Sequence, residues 1–112
     1  MNPTELALAR WRALEILKSH LDRERPDASD DSLAVYMEDG LLLRWLARRG
    51  HPMLISHLRG SILTYLRDAG FVVYKQLQPG GPGTSVLLFW RVTHDGIQVL
   101  EGTKTDPGVR LD

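Results

Sequence analysis

The stretch Leu54-Ile55-Ser56-His57-Leu58-Arg59-Gly60-Ser61-Ile62-Leu63-Thr64-Tyr65-Leu66-Arg67-Asp68-Ala69-Gly70-Phe71-Val72-Val73-Tyr74 changes its period partway along. Up to Ala69 the apolar residues Ile55, Leu58, Ile62, Leu66 and Ala69 recur at three- and four-residue spacing, which is one buried face of a helix. Leu63 and Tyr65 fall at the margins of that stripe. Gly70 stops the helix, and Phe71-Val72-Val73-Tyr74 opens a β-rich run. Counting about 100° per residue from Ile62, the residues Ser56, His57, Gly60, Thr64, Arg67 and Asp68 point away from the stripe, with Arg59 and Ser61 beside them.

Upstream, Gly50-His51-Pro52 separates this helix from an earlier one, since Gly caps a helix end and Pro disfavours helix at the residue before it. The earlier helix is expected over Leu41 to Arg49, with Leu42, Trp45 and Leu46 inward. Before it, Ser29 with Asp30 and Asp31 predicts the cap of another helix carrying Leu33, Tyr36 and Met37. That helix does not continue in phase, so a break is expected near Asp39 and Gly40, and adjacent acids there read as solvated caps. The chain opens with a helix capped by Asn2, with Pro3 at its first position and Glu5 completing a capping box. Its stripe is Ala7, Trp11, Leu14, Leu17 and Leu21. Leu8 and Ile16 project to the other side, either to be covered by another element or to meet a partner helix.

Downstream, Pro79-Gly80-Gly81-Pro82-Gly83-Thr84-Ser85 divides the run at Phe71 from a second at Val86 to Val92, which predicts a β-hairpin. Thr93 is placed to cap a short helix from His94 to Leu100 or Glu101, stopped by Gly102, and Asp106-Pro107-Gly108 reads as a turn or arm. The expected organisation is one domain over 1–112: an N-terminal helix (1–25), a helical core (29–70), a hairpin (71–93), and a short helix with tail (94–112).

The chain has 112 residues, with fourteen Lys and Arg against fourteen Asp and Glu, so its formal net charge is zero. That balance argues against histone-like coating of nucleic acid. Along the chain it resolves into blocks: five basic against nine acidic residues over 1–40, six against one over 41–75, and three against four over 76–112, or −4, +5 and −1. The basic block is Arg44, Arg48, Arg49, Arg59, Arg67 and Lys75, and it coincides with the helix pair and first strand. No cysteine is present, which removes disulfides, thiolate metal sites and thiol nucleophiles. The longest apolar runs are far shorter than the roughly twenty residues of a membrane span. A soluble cytoplasmic protein without a membrane partner is expected.

Helix, short Gly-containing turn, helix and hairpin is the order of a winged helix-turn-helix domain. Ile62 to Val72 resembles the "L-x-x-L-x-x-x-G-L-V" end of a winged-helix recognition helix. Trp90-Arg91-Val92-Thr93-His94-Asp95-Gly96-Ile97-Gln98-Val99-Leu100 resembles the "W-R-L-T-x-x-G-x-x-L-L" that closes the wing. Tyr65-Leu66, Leu100-Glu101-Gly102 and Asp106-Pro107-Gly108-Val109 are similar to small winged-helix proteins of Mu-like bacteriophages and prophages, over roughly residues 26 to 110. The resemblance implies a helix-dominated α+β winged helix-turn-helix with an extra N-terminal helix, a hairpin wing and a short helix after it. It also implies a small sequence-specific regulator of transcription bound to double-stranded DNA.

On that expectation Ser56, His57, Arg59, Gly60, Ser61, Thr64 and Arg67 face the major groove, where Arg reads guanine and hydroxyls meet bases or phosphates. Arg44, Arg48, Arg49 and Lys75 hold phosphates. Gly60 stands out, because glycine inside a helix costs about 1 kcal/mol relative to alanine. A homodimer through the N-terminal helix would double the site read. The alternative class is a winged-helix adaptor that docks protein through Leu8, Ile16, Tyr36, Met37 or the apolar wing. Enzyme, metal and cofactor readings find no support. His20, His51, His57 and His94 lack metal-ligand spacing, the glycine-rich loop lacks the Gly-Lys of a phosphate loop, and Ser56 and Ser85 lack a nucleophile-elbow context. Trp11, Trp45 and Trp90 are expected to face the core.

Overall fold

The computed structural model describes residues 1–29 and 32–111. The Asn2 side chain accepts the Glu5 N–H at 2.8 Å, and helix α1 runs Pro3–Glu24. It buries Ala7, Ala9, Ala13, Leu14, Ile16, Leu17 and Leu21, and other elements pack against it on several sides. Of the two readings for the side bearing Leu8 and Ile16, cover by another element of the chain holds at Ile16, which is only 4% exposed. Trp11 packs against the core as expected, although it is only half-buried.

Among the described residues, no α-helix lies between Ser29 and Glu38. The Ser29 carbonyl accepts the Ser32 N–H at 2.9 Å, and Ser32 instead caps a single 3-10 turn, Leu33–Val35. Asp30 and Asp31, expected as cap carboxylates, lie outside the described residues. Strand β1, Met37–Glu38, comes next. Val35, Tyr36 and Met37 are all buried, and three consecutive buried side chains suit a chain passing between layers better than a surface helix with one inward stripe.

Helix α2 spans Asp39–Arg48 and begins at the expected break, with the Glu38 carboxylate accepting the Gly40 N–H at 3.3 Å. Leu42 and Leu46 are fully buried and Trp45 is half-buried. Gly50 takes φ +89°, a left-handed conformation natural to glycine, and the His51 N–H returns to the Leu46 carbonyl at 2.8 Å.

Helix α3 covers 55–68. Its ends, Ile55–His57 and Thr64–Asp68, are α-helical, but Leu58–Leu63 is π-helical, and the Thr64 N–H bonds the Arg59 carbonyl five residues back. This wider spacing rotates the later residues relative to a 3.6-residue count. Leu58, Ile62, Leu63 and Leu66 are therefore all fully buried, Leu63 being core rather than marginal. Ala69, expected in the stripe, is exposed at the helix C-cap.

Strands β2 (Val72–Leu77) and β3 (Leu87–Val92) form the expected hairpin, and β1 adds to the far side of β3. The sheet is antiparallel in the order β1-β3-β2, with Met37 and Tyr74 both opposite Trp90 and Val72 opposite Val92. Trp90 is buried as expected, whereas the outer wing keeps Val73, Leu77 and Val86 more than a third exposed. Thr93 caps helix α4, His94–Glu101, and Gly102 ends it at φ +82°. The tail turns at Asp106–Val109, buries Val109, and donates the Arg110 N–H to the Ala7 carbonyl at 3.2 Å. The result is an α+β chain with a small three-stranded sheet, its core lying between α1, α2, α3 and the sheet.

Candidate nucleic-acid interface

The residues expected to face a ligand separate into those left on the surface, those taken up in holding α3, and the half-buried His57 and Lys75, which do neither. Ser56, Gly60 and Arg67 are exposed, as are Arg44, Arg48 and Arg49 on and just beyond α2. At Gly60 an added Cβ would meet nothing within 4 Å. Arg48 lies over the Trp45 ring at 5.1 Å, and Arg67 lies over the exposed Tyr74 ring at 5.9 Å while also pairing with Asp68 at 3.2 Å. Tyr74 itself stacks on Trp90 with centroids 5.1 Å apart. Lys75 is half-buried with its ammonium 4.8 Å from the Tyr36 ring, on which Arg91 also sits at 5.6 Å.

Arg59, Ser61, Thr64 and His57 are placed differently. Arg59 donates Nε to Asp39 Oδ2 at 2.6 Å and Nη2 to Oδ1 at 3.2 Å. Asp39 is 2% exposed, so the acids at the start of α2 are not both solvated caps: Glu38 caps, and Asp39 is buried in an ion pair. The hydrogen bond to Asp39 raises the Arg59 pKa above its ordinary value. The Thr64 hydroxyl donates to the Arg59 carbonyl at 2.6 Å. The Ser61 carbonyl accepts Arg10 Nε at 3.1 Å and Nη2 at 2.9 Å. His57 is half-buried, and its Nε2 is inaccessible and has no hydrogen-bond partner among the described residues.

A second polar network joins α1, α3 and the tail. The Arg10 guanidinium lies 3.9 Å from the Tyr65 ring centroid and donates Nη1 to the Gly108 carbonyl at 3.2 Å. The Tyr65 hydroxyl donates to Asp106 Oδ1 at 2.5 Å, and the same oxygen accepts the Gly108 N–H at 2.7 Å. Burial lowers the Arg10 pKa, and the hydrogen bond to Asp106 raises that of Tyr65. None of these roles is visible in the sequence beyond the turn signal Asp106-Pro107-Gly108, because the contacts span 41 to 98 residues.

Beside this network a groove of about 440 Å³ lies between α1 and the tail, lined mainly by apolar groups of Trp11, Val99, Pro107, Val109 and Leu111. Among the described residues no three His, Asp or Glu gather in a way that could hold a metal ion. No helix among them is long and apolar enough to cross a membrane. No protein-family model, no curated protein and no solved structure matches the chain.

Proposed function

We propose that the chain is a winged helix-turn-helix protein that binds double-stranded DNA as a small phage- or prophage-type regulator. The observation that carries this reading is connectivity. Helix α1, strand β1, helices α2 and α3 and the hairpin β2-β3 succeed one another in that order, with β3 between β1 and β2. In such a domain the second helix of the pair enters the major groove and the hairpin tip reaches the backbone or minor groove. The exposed surface of α3 at Ser56, Gly60 and Arg67 then meets base edges. Arg44, Arg48 and Arg49 meet phosphates, and the loop 78–86 is the wing tip. Arg67, held near Tyr74, is placed to couple the helix to the wing.

Binding by about four phosphate contacts gives a slope of log K against log salt near −3 to −4. The test is DNA selection from random duplexes, followed by anisotropy titration of the selected site at several salt concentrations. Arg44→Ala with Arg48→Ala should reduce the slope by about 1.8, two phosphate contacts' worth. No enrichment together with a flat salt response would overturn the DNA reading and leave the protein-docking adaptor as the class to pursue.

A further inference from the structure

The Asp39–Arg59 pair bears on how DNA would be read, and its role in recognition rests on the DNA binding proposed for this chain. Asp39 stands in the first turn of α2 and is almost wholly buried, while Arg59 stands in the π-helical segment of α3 with its side chain 43% exposed. Twenty residues separate them, and two N–H···O bonds join them in the fork geometry that guanidinium and carboxylate share. The same segment is tied from its other flank by Arg10, through the Ser61 carbonyl, and internally by the Thr64 hydroxyl on the Arg59 carbonyl. The Arg59 side chain, the Ser61 carbonyl and the Thr64 hydroxyl are thus each committed to a contact within the protein, and Gly60 among them is left facing solvent.

We infer that Asp39 and Arg59 are a positioning pair that sets α3 against the start of α2, so that Arg59 serves recognition through the helix it holds rather than by touching DNA. A phosphate contact that drew the guanidinium off Asp39 would strip a buried carboxylate of its partner, and an uncompensated buried charge is strongly disfavoured. Lysine offers a single point charge and cannot reproduce the fork, although it serves well as a phosphate contact. The two roles therefore predict different behaviour for the same substitutions.

The test uses the full chain as wild type, Asp39→Asn, Arg59→Lys and the double variant. Amide hydrogen exchange over 58–64 is measured without DNA, and binding to a selected and a scrambled duplex is titrated across salt. The positioning role predicts faster exchange in each variant, several-fold weaker binding to the selected duplex, little change on the scrambled one, and an unchanged salt slope. The double variant should be no weaker than Asp39→Asn. Asp39→Asn overturns the inference if it binds both duplexes more tightly with a slope steeper by about 0.9, the signature of a released phosphate contact. Arg59→Lys overturns it by matching the wild type in affinity. If the wild type binds no duplex, the DNA reading falls alone. The exchange measurement then decides the pair, faster exchange supporting its hold on α3 and unchanged exchange overturning it.

Discussion

Replacing Gly60 by alanine should stabilise the fold. Gly60 sits inside helix α3, has no positive φ, and would present its new Cβ to open space, with no atom within 4 Å. No close approach and no left-handed backbone therefore requires glycine there. The helical preference of alanine over glycine is about 0.8–1 kcal/mol, arising mainly from the backbone entropy that glycine loses on folding. For 112 residues at roughly 2.1 cal/mol/K each, the unfolding entropy near the midpoint is about 0.24 kcal/mol/K, so Tm should rise by about 4 °C. Thermal melts by circular dichroism, checked by urea titration with an unchanged m-value, measure it. A fall in Tm would refute the reasoning and show that the π-helical segment needs glycine for its own geometry. The same variant tests the interface: if the outer surface of α3 seats against DNA, the added methyl weakens binding while the fold becomes more stable. Unchanged affinity would place Gly60 outside the contact.

Gly108→Ala should have the opposite effect, because its Cβ would overlap the Tyr65 hydroxyl and ring and displace the hydroxyl from Asp106. A loss of about 1–3 kcal/mol in urea unfolding is expected, as for overpacked sites generally; a neutral outcome would mean that the tail shifts freely. Stability should also depend on pH at both ends of the range. Burial and the nearby Arg12 lower the His51 pKa, so the unfolded chain binds the proton more readily, and stability present above about pH 6.5 is lost as the pH falls through the lowered value. Tyr65, raised by its bond to Asp106, favours the protonated fold, so stability present below about pH 10 is lost as the pH rises through the raised value. Denaturation midpoints for His51→Gln and Tyr65→Phe should show a shallower acid and a shallower alkaline dependence respectively.

Local order is largely legible in the sequence. The Asn2 and Thr93 caps, the Gly50 and Gly102 stops, the break before Gly40 and the hairpin from Val72 to Val92 all lie where short-range signals put them. The segment after Ser29 departs from its local signals, because helix-cap chemistry is local while pairing of Met37 and Glu38 with β3 is not. The π-helical stretch is equally hidden. It changes which residues share a face, burying Leu63 and leaving Ala69 at the surface, and a fixed 3.6-residue count carries no sign of it.

The candidate interface divides in the same way. That Arg44, Arg48, Arg49, Arg59, Arg67 and Lys75 form a basic block is a matter of composition along the chain. That Arg59 is bound to a buried Asp39, while Lys75 lies on Tyr36 and Arg67 on Tyr74, is a matter of packing alone. For most segments the choice of helix or strand and the apolar side depend on residues within a turn or two of one another, so they are legible in the sequence; the segment after Ser29 and the π-helical stretch are the exceptions. The fold settles which charges remain available to a partner, because the carboxylate that holds Arg59 and the ring beneath Lys75 are brought near from distant parts of the chain.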